Sequence, residues 1–145
     1  MNQLPPFDLA GFSAYRLTVA AQKLSDAFAR QYRDQFGISN PEWRGLVHIS
    51  QSDGTSIRDI EARVAMEKSK VSRAAKRLEQ AGYISKQINK TDRRLLHLHL
   101  TSKGQNLMTD LLPLADHFQQ EIETRLGKAF KGLEAGLDKI LEDQK

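Results

Sequence analysis

Six residues in one short stretch, Ser69, Lys70, Ser72, Arg73, Lys76 and Arg77, carry hydroxyl, ammonium and guanidinium groups. Such groups hold phosphate oxygens, and an Arg can read guanine through two parallel hydrogen bonds. The stretch opens at Glu67 and ends at Gly82, and within it Val71, Ala74 or Ala75, and Leu78 recur at helical spacing. With Val71 turned inward, a step of about 100° per residue puts Ser69, Arg73, Lys76 and Gln80 on the opposite side. Lys70, Ser72 and Arg77 flank them. The resulting side is small and hydroxylic near the helix start and cationic beyond it, as a major groove requires. A solvated surface helix has a similar composition, so the setting of the helix decides its meaning.

A second group lies at Asp92-Arg93-Arg94. An Arg at a hairpin tip can enter a narrow minor groove, where negative potential is enhanced. Asp92 would repel phosphate if it pointed outward. It is expected instead to brace a neighbouring Arg or the loop amides. His97 and His99 share one strand face, a spacing that can ligate a metal. No Cys and no carboxylate cluster stands near them in sequence, so an exposed hairpin face is expected and no metal site. His48 and His117 are isolated. The chain has no Gly-rich phosphate loop, nucleophile elbow or metalloprotease helix. No catalytic residue and no cofactor is therefore expected, and the chain is read as a non-enzyme.

The elements that must position these groups follow from periodicity. Residues 8–36 read as one long helix capped by Asp8, with Leu17, Ala21, Leu24, Phe28, Tyr32 and Phe36 as its apolar stripe and Gly37 as its end. Ser39-Asn40-Pro41-Glu42 offers a capping box for a second helix to about Ser50. Ser52-Asp53-Gly54 is a turn. Ser56 or Thr55 caps a third helix, with Asp59 in its first turn and Ile57, Ile60 and Val64 inward. Ala65-Met66 makes a tight turn into the basic helix. Tyr83–Ile88 and Leu95–Leu100 alternate as strands around the polar link 89–94. Thr101 caps a long helix with Leu107, Leu111, Leu114, Phe118, Ile122 and Leu126 along one side and Pro113 expected to bend it. A last helix near 129–142 carries Phe130, Leu133, Leu137 and Ile140.

This order, four helices, a hairpin and two more helices, is that of a winged helix-turn-helix lobe with extra helices at both ends. The fold class is mainly α with a small β-hairpin wing. The terminal helices are apolar along one side and need a surface to bury against. A second copy of the chain supplies one economically; a closed monomeric bundle is the alternative.

Composition sets the bounds. The 145 residues suit one domain, or one small lobe plus elements that pair with a partner chain, with 39% hydrophobic and 28% charged residues. The net charge of +4 is unevenly placed. Residues 55–103 hold twelve Lys and Arg against five Asp and Glu, and the rest holds ten against thirteen. A basic segment between mildly acidic flanks points to a polyanionic partner, double-stranded DNA first. There are no cysteines, which excludes disulfides, thiolate zinc and thiol redox sensing. No apolar run approaches the ~20 residues of a membrane span, and no secretory signal pattern is seen. A cytoplasmic location without membrane partners is expected.

Three stretches resemble the MarR family of bacterial transcription regulators: FGISNPEWRGLVHI at 36–49, SIRDIEARVAMEKSKVSRAAKRLEQAGYI at 56–84, and TDRRLLHLHLTSKGQNL at 91–107. In the last, Asp92, Arg94, Leu98, Thr101 and Gly104 match the family's wing and helix start. The resemblance implies a homodimer divided into an N-terminal dimerisation helix at 1–36, a DNA-binding lobe at 37–100 and C-terminal dimerisation helices at 101–145. It implies residues 68–80 in a major groove and the 89–94 wing in the adjacent minor groove of a pseudo-palindromic operator. It also implies repression relieved by a small, aromatic or phenolic effector. Tyr15, Arg16, Trp43 and His48 fall on the elements that line the effector crevice in relatives. A non-specific or architectural nucleic-acid binder is the rival, and a protein-interaction module a more distant one.

Overall fold

A computed structural model describes residues 3–52, 55–56, 58–60, 68–88 and 96–142. Leu9–Gly11 form a short 3-10 turn, followed by α1 (Ser13–Phe36), α2 (Asn40–Gln51) and a two-residue strand β1 (Thr55–Ser56). Residues 58–60 are helical. Then come α3 (Lys68–Gln80), β2 (Ile84–Ile88), β3 (Leu96–Leu100), α4 (Ser102–Leu126) and α5 (Ala129–Glu142). No helix among the described residues is long and apolar enough to cross a membrane.

The helix ends follow the local chemistry of the sequence. Gly37 closes α1 in the left-handed conformation (φ 67°), its amide donating to the Arg33 carbonyl. Ser39 Oγ accepts from the Glu42 amide at 3.3 Å, with Pro41 in the first turn of α2. The Glu42 carboxylate accepts the Ser39 hydroxyl at 2.7 Å, so the box is closed through side chains. Ser56 Oγ accepts from the Asp59 amide at 3.0 Å, and Asp59 Oδ2 accepts from the Ser56 amide at 3.4 Å. Of the two candidate caps, Ser56 is the one used. Thr101 Oγ1 accepts from the Gly104 amide at 3.1 Å and starts α4. That helix runs through Pro113 to Leu126.

Two expectations are corrected. Asp8 does not cap the long helix, which begins five residues later at Ser13. Phe12 is extended (φ −77°, ψ 113°) and its ring meets Phe7 edge-on at 5.3 Å. Gly11, a poor helix former, precedes this break. The hairpin is also not a two-stranded unit. β1 pairs antiparallel with β3 (Thr55 opposite Leu98, Ser56 opposite His97), and β3 pairs with β2 (Ile84 opposite Leu100, Ile88 opposite Leu96). The cap residues of the next helix thus double as a sheet edge, and both are buried.

The core gathers fully buried large side chains from α1, α2, residues 58–60, α3, β3 and α4: Tyr32, Leu46, Ile60, Leu78, Leu98 and Leu111. Beside it Phe28 meets Tyr32, Trp43 and Phe118 at 5.0–5.1 Å, and Tyr32 stacks on Trp43 at 5.7 Å, joining α1, α2 and α4. The Tyr32 hydroxyl donates to Asn40 Oδ1 at 3.1 Å, and Asn40 Nδ2 donates to Ser25 Oγ at 3.3 Å. Burial pushes this phenol up to about 12, with Arg33 and Arg44 opposing and Asp26 reinforcing the shift.

Candidate nucleic-acid interface

The two sides of α3 differ sharply. Val71, Ala74, Ala75 and Leu78 are buried, at most 4% exposed. Ser69, Lys70, Ser72, Arg73, Lys76, Arg77 and Gln80 are exposed. At Gly45 of α2, a Cβ would meet Leu78 Cδ1 at 3.8 Å. Arg73 Nε donates to the Ser69 carbonyl at 3.3 Å, so this guanidinium lies back along the helix toward its start. The helix therefore presents hydroxyls, ammonium groups and two guanidinium groups to solvent from a backbone fixed by core packing.

The junction between α3 and the hairpin is tied. At the C-terminus the Ala81 amide donates to Arg77, Gly82 to Glu79 and Tyr83 to Leu78. Gly82 supplies the positive φ (85°) that this reversal needs. Glu79, the one acid in the sequence of α3, is met by Lys86 of β2 at 3.4 Å. One basic residue of the segment is thus engaged internally, and it masks the one carboxylate on the helix. Sequence reasoning did not single out this pair; its seven-residue separation across a turn matches no helical or strand spacing.

Asp92, Arg93 and Arg94 lie outside the described residues, as do the turn at Ala65-Met66, Ile57, Val64, Glu67 and the Asp53-Gly54 turn. The stem that carries the wing is described: Ile88 and Leu96 pair at its last rung, and Ile88 is 64% exposed. His97 and His99 sit half-buried on the side of β3 opposite Leu98, across from Gln87 and Ser85. Among the described residues no group of three or more His, Asp or Glu stands where it could hold a metal.

The four residues expected along an effector crevice fall into two groups. Tyr15 and Arg16 line an open groove of about 690 Å³ along the start of α1, with Leu17, Val19 and Lys23. Trp43 belongs to the aromatic joint and His48 is half-buried on the same helix α2. Trp43 stacks on Tyr32, seventeen residues along α1 from Tyr15, a span of about 25 Å at helical rise. A single chain does not bring all four together.

A two-sided basic helix, seated on a helical core and followed by an antiparallel hairpin, defines a protein of the winged helix-turn-helix class. Comparison with known proteins narrows this. Residues 38–96 match the MarR family model. The transcriptional repressor MprA of Escherichia coli is 33% identical over 79 residues, covering 53% of this chain and 45% of MprA. The chain thus matches under half the length of that relative. The solved MarR/EmrR family regulator of Acinetobacter sp. ADP1 superposes with a TM-score of 0.83 at 25% identity, covering 95% of this chain and 97% of that one. The MepR–DNA complex of S. aureus gives a TM-score of 0.78 at 23% identity, covering 90% and 97%. Residues 38–96 thus resemble the MarR family of transcriptional regulators, and the fold of the described residues is that of solved members of that family.

Proposed function

We propose that this protein is a dimeric, sequence-specific DNA-binding repressor that acts in the cytoplasm and is released from its operator by a small aromatic ligand. The observation that carries the DNA part is the division of α3 into a buried apolar side and an exposed side bearing Ser69, Lys70, Ser72, Arg73, Lys76 and Arg77. In this reading α3 enters a major groove, Arg73 reads a base edge and the lysines and serines hold phosphates. Arg93 and Arg94 reach the adjacent minor groove, braced by Asp92. The fold likeness to a regulator solved on DNA supports the arrangement, and MprA's name supports repression.

The division of labour follows exposure. Residues 37–100 form the reading lobe, while 1–36 and 101–145 pair with their counterparts in a second chain. Exposed Leu4, Phe7, Leu9, Phe12, Leu17 and Leu24 at one end, and Ile140 and Leu141 at the other, support that pairing. Two copies of α3 would then stand about 34 Å apart, one turn of DNA, on a pseudo-palindrome. The effector is a small aromatic acid: Arg16 and Lys23 pair its carboxylate beside Tyr15, and the second chain brings the α2 residues Trp43 and His48 to complete the crevice. Such a ligand acts only through its difference in affinity for the bound and free lobe spacings.

Selection from random duplexes tests the reading. The wild-type protein enriches one pseudo-palindrome, and binding weakens about 10³–10⁵-fold between 50 and 200 mM salt for ~6–10 neutralised phosphates. Arg73→Ala loses roughly tenfold or more in affinity and relaxes preference at one position of each half-site. Equal displacement by unrelated duplex would replace this reading with non-specific nucleic-acid binding.

A further inference from the structure

The start of α4 closes onto the end of α3 through residues that no part of the DNA-reading surface uses. The Thr101 amide donates to the Tyr83 carbonyl at 3.0 Å, and the Thr101 hydroxyl donates to the Gly82 carbonyl. Lys103 Nζ donates to the Ala81 carbonyl at 2.7 Å and lies 4.8 Å from the centre of the Tyr83 ring. Gly104 is packed so tightly that a Cβ there would sit 2.1 Å from the Tyr83 oxygen. Three consecutive carbonyls just past the last turn of α3 are therefore all satisfied from α4 or its cap. A cation is favoured there, because the helix dipole leaves negative charge at that end.

We propose that Lys103 is a positioning residue for DNA binding: its ammonium, bonded to Ala81 and set over Tyr83, fixes the end of the recognition helix to the start of α4. This rests on the DNA-binding reading. α4 continues for 25 residues, about 37 Å at helical rise, into the apolar half that a second chain would cover. The joint thus gives a rigid path from the far helices to α3. Lys103 counts toward the basic segment 55–103, but its exposed ammonium is already engaged by the Ala81 carbonyl.

The full-length protein carrying Lys103→Met keeps the aliphatic stem and loses the donor and charge; Lys103→Arg keeps both. The probe is a labelled duplex bearing the sequence that wild type enriches from a random pool. Lys103→Met binds it roughly tenfold more weakly, with the slope of log affinity against log salt unchanged, and Lys103→Arg restores binding. In Lys103→Met the amides of Ala81, Gly82 and Tyr83 exchange faster with solvent, while that of Gly37 does not. A slope reduced by ~0.9 for each lysine lost would make Lys103 a phosphate contact and overturn the proposal. Wild-type affinity, or wild-type exchange at Ala81–Tyr83, overturns it as well. If wild type enriches no duplex, the DNA reading falls. The exchange of the Met variant then still decides whether Lys103 holds the joint.

Discussion

Six large side chains, from α1, α2, residues 58–60, α3, β3 and α4, are fully buried within a single chain, whereas α5 buries none of its 14 residues. The same contrast runs along the two long helices. The C-terminal half of α1 supplies buried Ala29 and Tyr32, but Leu17 and Leu24 in its first half are exposed. α4 buries Leu107, Met108 and Leu111 near its start and only half-covers Phe118, Ile122 and Leu126 farther on. One end of the molecule closes its own core and can hold a reading helix still. The other has the apolar pattern of a core with half of it missing. The first therefore has a stability internal to the chain, and in the proposed dimer the second acquires its own by mass action.

Three substitutions probe that difference. The largest effect belongs to Leu78→Ala, which opens a cavity beneath α3 and costs ~2–5 kcal/mol in urea unfolding, equally at every protein concentration. A cost that changes with concentration would mean that the lobe too depends on a second chain. Next comes Ile140→Asp. The side chain is 48% exposed in the single chain, so a self-contained bundle tolerates the change within about 0.5 kcal/mol. If the helix is covered by a second copy, losing the burial of an isoleucine costs ~1.5–3 kcal/mol. Sedimentation then shows wild type at twice 16.4 kDa and the variant shifted toward a single chain. An unshifted mass for the variant would remove α5 from the interface.

The smallest effect is expected for Tyr32→Phe, at the boundary between the two regions. Loss of the bond to Asn40 costs ~1 kcal/mol at neutral pH. The native phenol is raised to about 12 against an unfolded value of 10.0. The folded state thus retains a proton that the unfolded state gives up. Wild-type stability is intact below pH 10 and falls as pH rises toward 12, by up to ~1.4 kcal/mol per unit. The Phe variant lacks this loss, so the gap between the two proteins narrows in alkali. A constant gap in urea titrations from pH 7 to about 11 would place the phenol in solvent.

What the sequence made legible was local. The exposed side of α3 follows from three- and four-residue spacing around Val71, and the ends of α1, α2 and α4 follow from Gly37, Ser39 with Glu42, and Thr101. The strand β1 was hidden because two residues cannot show a period, and because Ser56 already had a reason to be polar there. The late start of α1 depends on Phe12 meeting Phe7, a contact that the intact apolar stripe of the helix conceals. The Lys103–Ala81 bond spans 22 residues and joins elements with no shared pattern. Tyr15, Arg16, Trp43 and His48 were assigned to one crevice by resemblance. Their division in the single chain depends on where α1 meets α2, which spacing within either helix does not encode.

The aromatic joint has a practical consequence. Trp43 is the chain's one tryptophan, stacked on Tyr32 and met edge-on by Phe28 where α1, α2 and α4 converge. Its indole emission therefore arises from a single place, the joint where α1, α2 and α4 meet. Any rearrangement of that joint alters the light the protein emits, so the proposed release by a ligand can be followed in the unmodified molecule without a dye.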